Sequence, residues 1–344
     1  MRLLLTGGAG YIGSHTALEF LENTDVSLTI IDNLSTGFLE NIQYLKNRFP
    51  DRINFARVDL SDRSALEALL EKTHFDGVLH FGASLIVNES VSNPLLYYSN
   101  NTLNTTALIQ ACITHKIKNF IFSSTAAVYG EPDSRYIPVQ ENTPLAPINP
   151  YGASKMMSEQ ILKDSSLAYD FNFIALRYFN VAGANIHNAY DDNNGTKDGL
   201  GQRSKNATHL IKVACECAVG KREKMAIFGD DYPTDDGTCI RDYIHINDLA
   251  NAHLQAWEYL MSEKKSDIFN VGYAQGYSVK EVISTLKEVS GVDFKVEILP
   301  RRAGDPAKLI ANNQKILSMT QWKPKYNNLK TIVASAYEWE KYLL

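Results

Sequence analysis

The chain has 344 residues, room for two or three units at roughly 100 to 200 residues each, and its 44% hydrophobic and 21% charged composition is that of an ordinary soluble globular protein. Disorder, collagen and coiled coil are excluded for the chain as a whole. The 34 basic and 39 acidic residues give a net charge of −5 with no block of adjacent basic residues, so nucleic acid is not expected as a partner. Apolar stretches such as 28–31 fall far short of the roughly 20 residues that cross a bilayer, and 1–5 run straight into glycines, so neither a membrane span nor a signal peptide is expected. Four cysteines without a C-x-x-C pair and eight histidines without H-x-x-x-H match no disulfide framework and no metal site. A reducing, cytoplasmic compartment is expected.

In chain order, short apolar runs at 2–6, 26–31, 53–58, 77–81, 120–124 and 173–178 alternate with amphipathic segments of helical length. This pattern predicts an α/β fold, a Rossmann-type doubly wound parallel sheet, whose strands are apolar throughout because both faces are covered. After residue 180 the texture changes. The polar run 191–199 reads as a surface loop, followed by a helix ending near Gly220, a strand around 225–228 and helices at 279–290 and 327–344. The expected division is 1–180 for the sheet domain and 181–344 for a smaller mixed α/β domain, with a segment near 240–255 a candidate to return to the first.

The first strand leads into Gly7-Gly8-Ala9-Gly10-Tyr11-Ile12-Gly13 and then a helical pattern from 14 to 21. Such a turn lets backbone N–H groups approach a pyrophosphate, with a helix N-terminus behind them. Asp32, at the end of the second strand, can accept both hydroxyls of a ribose, and Asn33-Leu34-Ser35-Thr36 offers no cation for a 2′-phosphate. NAD is therefore the expected cofactor rather than NADP. Asp59 and the Phe81-Gly82-Ala83 strand end fall where adenine, ribose and phosphates would lie, although Asp59, or Asp62, also fits a helix N-cap.

Tyr151 and Lys155 lie four apart after Pro150, on one helix face, where an ammonium beside a phenol would favour the phenolate. Tyr326 and Lys330, and Tyr337 and Lys341, repeat the spacing. Only Tyr151 lies downstream of a strand ending in Ser123-Ser124-Thr125, whose hydroxyls can relay a proton. The other two pairs read as surface or packing.

The T-G-G-x-G-Y-I-G turn, the F-S-S-T-A-A-V-Y-G strand, the P-Y-G-x-S-K helix and the R-Y-F-N strand end resemble the extended short-chain dehydrogenase/reductase family. With 229–238, Arg241-Asp242-Tyr243-Ile244-His245 and Arg301-Arg302-Ala303-Gly304-Asp305, the likeness narrows to its UDP-glucose 4-epimerases and runs nearly the whole chain. That resemblance implies 4-epimerisation of a UDP-hexose through a transient 4-keto sugar. Tyr151 would be the base, Thr125 the relay and Lys155 the residue that tunes Tyr151 and holds the nicotinamide ribose. Gly7, Gly10, Tyr11, Ile12, Gly13, Asp32, Asn33, Asp59, Leu60, Phe81, Gly82, Ala83, Asn100 and Phe179 would line the cofactor. Arg241 and Arg302 would clamp the diphosphate, with Asn180, His209 and Leu210 beside it, the backbone of Ala226, Ile227 and Phe228 edging the uracil and Asp305 meeting its ribose.

Two departures from the family's pattern stand out. Phe81-Gly82-Ala83-Ser84-Leu85 lacks the usual lysine, and His209 replaces a common asparagine. Leu309 falls where the family's pocket wall meets the sugar's C2 group, and where a tyrosine would crowd out an acetamide; it predicts acceptance of UDP-N-acetylglucosamine as well, unless Leu309 is core filler. A dehydratase or decarboxylase would need acidic residues where Ala126 and Ala127 stand, and a catalytically silent NAD-binding protein would not need Thr125, Tyr151 and Lys155 together. Helices at 94–115 and 151–164 imply, by the same resemblance, a homodimer; alternatively they only cover their own sheet.

Overall fold

A computed structural model of the chain describes residues 1–186, 199–204, 207–302 and 304–344. Six strands form up to residue 178, each within one residue of the expected bounds: β1 (Arg2–Thr6), β2 (Ser27–Asp32), β3 (Ile53–Arg57), β4 (Gly77–His80), β5 (Asn119–Ser123) and β6 (Asn172–Tyr178). Later strands are β7 (Asn180–Ala182), β8 (Asn185–Ile186), β9 (Gly199–Leu200), β10 (Lys224–Phe228), β11 (Ile240–His245), β12 (Asp267–Val271), β13 (Gly276–Ser278), β14 (Lys295–Leu299) and β15 (Lys308–Leu309). The expected loop at 191–199 lies outside the described residues, except for Gly199, which begins β9.

The large sheet runs β12-β6-β5-β4-β1-β2-β3, and every neighbouring pair is parallel. Its strands are apolar on successive residues because each face meets helices. Leu3 and Leu5 pack with α1 (Tyr11–Asn23) and α2 (Leu39–Arg48), whereas Leu4 and Val78 pack with α3 (Arg63–Lys72) on the other side.

Between β4 and β5 lie α4 (Val87–Ser92), α5 (Pro94–Tyr97), a π-helical turn over Tyr98–Leu103 and α6 (Asn104–Thr114). The continuous helix expected from 94 is thus interrupted, as π turns often interrupt helices at functional positions. Within the turn Asn101 accepts from Ser84 N (2.8 Å) and donates to Ser84 O (3.0 Å) and Ser154 Oγ (3.1 Å), which fastens the segment after β4 to α7 (Pro150–Ala168).

Beyond β6 the chain builds a smaller unit. Here β11 pairs antiparallel with β13 and parallel with β7 and β15, and β10 pairs with β14. Apolar faces of α8 (Leu210–Ala218), α10 (Val279–Ser290) and α12 (Leu329–Tyr342) enclose its core. The chain returns to the large sheet over 246–271, farther along than the 240–255 stretch: α9 (Ile246–Glu263) packs on the α1 side and delivers β12 to the edge beside β6. After β15 a short α11 (Gln314–Met319) follows, its Ile316 in the same core. Among the described residues no helix is long and apolar enough to cross a membrane.

Candidate active site

One cleft of about 790 Å³ opens above the carboxyl ends of β1, β2, β4 and β5 and is walled on the other side by the smaller unit. At its first end the glycine turn is shaped by contact. Gly7 adopts φ +70°, its N–H donates to Ile31 O (2.8 Å), and a Cβ there would stand 2.6 Å from Gly82 N. A Cβ on Gly13 would stand 2.4 Å from Gly7 O. Gly10 caps α1 with no side chain, so the first-turn N–H groups have no side-chain acceptor.

Asp32 is buried at the rim of this cradle and accepts from Ala9 N (3.0 Å) and Leu34 N (2.8 Å). Burial pushes its carboxyl up, and the two backbone donors pull it back down. Asn33 donates to Asp59 Oδ2 (2.7 Å), which with Ser61 holds the Asp59 carboxyl below its ordinary range. Asp62, not Asp59, is the N-cap of α3, accepting from Ala65 N; Asp59 closes the preceding turn onto Ser61 and lines the cleft with Leu60. Phe81, Gly82, Ala83 and Asn100 continue the lining, and Asn100 donates to Ser84 Oγ (2.9 Å). A cradle that a single Cβ would fill, with the Asp32 carboxylate at its ribose end and the nearby Arg57 guanidinium turned onto the Asn33 carbonyl (3.4 Å) outside the cleft lining, fits NAD.

In the middle of the cleft, Asn149 caps α7 by accepting from Gly152 N (2.9 Å), with Pro150 at the first helical position, which starts the helix immediately before Tyr151. The Tyr151 phenol lies beside the Thr125 hydroxyl, whose Oγ1 accepts from Ala127 N (3.2 Å). Lys155 is buried, donates to Ser123 O (2.8 Å) and lies 4.8 Å from the Phe122 ring centroid. Burial lowers the Lys155 ammonium to about 7, against the pull of Glu159.

The phenol departs from expectation. Burial pushes Tyr151 up, and the Thr125 hydroxyl, not Lys155, is what opposes it. The Lys155 ammonium is spent first on the Ser123 carbonyl. Elsewhere, Lys330 pairs with Glu288 (2.7 Å) and Lys341 with Glu338 (2.9 Å), both exposed, while Tyr326 stacks on His245 at 4.5 Å.

At the far end, Arg241 and Leu309 face each other across β11 and β15. Arg241 Nη2 stands 3.5 Å from Asp305 Oδ1, and the Arg302 guanidinium lies 3.5 Å from the Phe228 ring centroid. Ala226 and Phe228 line the cleft, while the Ile227 side chain turns into the core with Met225, as strand alternation requires. Asn180, His209 and Leu210 also line it; His209 Nδ1 is 3.2 Å from Gln202 Nε2 and begins α8 without capping it. Phe179 and Leu309 pack against Ala126 and Tyr129, so Leu309 is both core and wall. Ala303, inside the Arg301–Asp305 motif, lies outside the described residues.

Sequence reasoning missed Tyr178, which lines the cleft and shares a short hydrogen bond with Ser123 Oγ; its place in R-Y-F-N was the available signal. It also missed Cys239, a cleft residue with no motif of its own.

The model of the NAD dependent epimerase/dehydratase family matches residues 3–272. A UDP-glucose 4-epimerase of Azospirillum brasilense is 46% identical over 99% of this chain and 92% of its own length. Among solved structures, the UDP-Glc/GlcNAc 4-epimerase of Campylobacter jejuni is 53% identical, with a TM-score of 0.83 and 99% of both chains covered. The UDP-glucose 4-epimerase of Bifidobacterium longum, solved with NAD+ and UDP, has a TM-score of 0.89 at 33% identity, covering 99% of this chain and 98% of its own. On its motifs, its sheet order and these likenesses, the chain belongs to the NAD dependent epimerase/dehydratase family.

Proposed function

We propose that this chain is an isomerase that performs NAD-dependent 4-epimerisation of UDP-hexoses, interconverting UDP-glucose and UDP-galactose. The observation that carries the reading is that Thr125, Tyr151 and Lys155 share one cleft with the glycine cradle and Asp32 and with Arg241 and Arg302. In this reading Gly7, Gly10, Tyr11, Ile12 and Gly13 hold the pyrophosphate of NAD, and Asp32 and Asn33 its adenosine ribose. Asp59 and Leu60 border the adenine. Phe81, Gly82, Ala83, Asn100, Lys155 and Phe179 border the remainder. NAD, when bound, takes the C4 hydride and returns it to the opposite face of the resulting 4-keto sugar, so nothing is oxidised on balance.

The proton is the protein's task. Thr125 relays the C4 hydroxyl proton to the Tyr151 oxygen and back, a role worth typically 10² to 10⁴ in rate. Arg241 and Arg302 offer guanidinium forks to the diphosphate, with His209, Leu210 and Asn180 beside it. The backbone of 226–228 edges the uracil, and Asp305 meets its ribose. Net oxidation is not expected, and neither is dehydration: Ala126 and Ala127 follow Thr125 without a carboxyl group, and Glu159 is engaged by Arg177 at 2.6 Å.

Leu309 extends the reading to UDP-N-acetylglucosamine, because an aliphatic wall leaves space that a tyrosine would fill; the two sugars named for the Campylobacter enzyme support it. The test is an NMR time course of the purified protein with each sugar nucleotide. UDP-galactose and UDP-N-acetylgalactosamine are expected. Accumulation of a 4-keto-6-deoxy sugar from UDP-glucose or dTDP-glucose would overturn the reading.

A homodimer is part of the same proposal. Leu95, Leu103 and Met157 lie exposed on the segments from α5 to α7, an apolar set that a second copy would cover. Sedimentation at micromolar concentration should give twice 38.5 kDa; a species of single mass alone would refute it. The four cysteines are free and buried, in keeping with a reducing compartment such as the cytoplasm.

A further inference from the structure

Three consecutive residues at the end of β5 each meet a different residue of α7. The Ser123 carbonyl accepts from Lys155 Nζ at 2.8 Å, the Ser124 hydroxyl donates to Glu159 Oε1 in a short hydrogen bond, and the Thr125 hydroxyl meets the Tyr151 phenol. Their helix partners are spaced by four, so Tyr151, Lys155 and Glu159 form one stripe. Glu159 is the rung that touches neither cofactor nor sugar in the reading above. It is buried and gripped by Arg177, whose Nε lies 3.0 and 3.1 Å from the two carboxylate oxygens and whose Nη2 lies 2.6 Å from Oε2. Arg177 is itself fixed, donating to the Tyr129 hydroxyl and to Glu141 O, both at 3.0 Å.

We propose that Glu159 is a positioning residue for the epimerisation: through Ser124 its carboxylate fixes the strand end that presents Thr125 to Tyr151, and from one helical turn away it favours the charged form of Lys155. The inference rests on the proposed function and deepens it.

A buried ammonium is costly without a counter-charge. Among the described residues, the titratable groups tied to Lys155 or to its partners are Tyr151 and Glu159 on its own helix, His80 on β4, and Arg177 and Tyr178 on β6, the last two through Glu159 and Ser123. His80 is held neutral, lowered to about 3 by burial and by Lys155 itself, and burial raises Tyr178, so it too carries no charge near neutrality. Arg177 is cationic and committed to Glu159. Glu159 is therefore the group among these that favours charged Lys155. A charged Lys155 anchors the Ser123 carbonyl and, through it, the strand end that carries Thr125, the group that opposes the effect of burial on Tyr151.

The test is the pH profile of kcat for UDP-glucose, measured on the NAD-bound protein and on variants. Glu159→Gln keeps an acceptor for Ser124 but removes the charge, so Lys155 loses its proton at lower pH. The alkaline limb should move down by about one pH unit, with kcat at neutrality lower by about tenfold and KM little changed. Ser124→Ala should lower kcat without moving that limb, since the charge stays.

Glu159→Gln strands a buried guanidinium and can unfold the chain; Glu159→Gln with Arg177→Met removes both charges of the pair, a change often tolerated. That double variant should keep its NAD and show a smaller downward shift of the limb, because the Arg177 cation is lost along with the nearer carboxylate. A limb at the unaltered position in the folded single or double variant, or an unaltered kcat in Ser124→Ala, would overturn the proposal while leaving the epimerase reading intact. Failure of the unaltered protein to epimerise UDP-glucose would overturn both.

Discussion

The two ends of the cleft are built by different means. At the cofactor end the surface is mostly backbone: Gly7, Gly10 and Gly82 have no side chains to place, and Asp32 is buried and locked by two N–H donors within two strands' reach. At the sugar-nucleotide end the surface is long side chains on strands brought together from residues 180 to 309. There Arg241 reaches Asp305 only at 3.5 Å, and the Asp305 side chain is 40% exposed. The first end is pre-organised, because a turn fixed by steric exclusion has no rotamers to lose. At the second, Arg241 rests on the Ile240 carbonyl (2.9 Å) and Arg302 on the Phe228 ring, so in the proposed reading a diphosphate would have to draw both guanidinium groups from these contacts. In the proposed reading, such a cleft would keep one cofactor while admitting more than one sugar.

Tyr151 sits where the two ends meet and should show the largest effect. Tyr151→Phe is expected to lower turnover by roughly 10² to 10⁴ while the purified protein retains its NAD, read from extracted cofactor. Equal activity would remove the phenol from the chemistry. On the adjustable side, Arg241→Ala and Arg302→Ala should each raise KM for UDP-glucose about 10 to 150-fold, the worth of a charge-assisted contact, again with NAD content unchanged. Loss of NAD in either would break the contrast.

On the fixed side, Gly7→Ala should cost about 1 to 3 kcal/mol in thermal or denaturant unfolding and empty the protein of NAD, since its Cβ meets the Gly82 backbone. Normal NAD content in that variant would show the cradle to be as adaptable as the arginine end. The smallest and most selective effect is expected at Leu309. Leu309→Tyr should reduce kcat/KM for UDP-N-acetylglucosamine about 5 to 150-fold and spare UDP-glucose. Equal impairment of both sugars would mean that the side chain matters as core beside Ala126 rather than as wall.

How much was legible beforehand follows the same division. The strands of the large sheet are readable because a buried parallel strand needs an unbroken apolar run, and 2–6 or 120–124 have nothing else to be. Local chemistry also announces the glycine turn, the cap at Asn149 and the Tyr151–Lys155 spacing, since each operates within a few residues of itself. The π turn at Tyr98–Leu103 carries no such signature; it arises from Asn101 reaching both Ser84 and Ser154.

Sequence by itself thus determined six strands of the large sheet and the glycine turn, and it nominated Thr125, Tyr151 and Lys155 as candidate reactive side chains, because these follow from short-range sterics, periodicity and local motifs. Only the tertiary structure decided their states and company. It returned 246–271 to the large sheet and sent the Ile227 side chain to the core. It gave the Lys155 ammonium to the Ser123 carbonyl and set Glu159 and Arg177 behind it. The reason is physical: desolvation and counter-charge depend on what surrounds a group in space, and residues 18 to 32 positions apart supply those surroundings here.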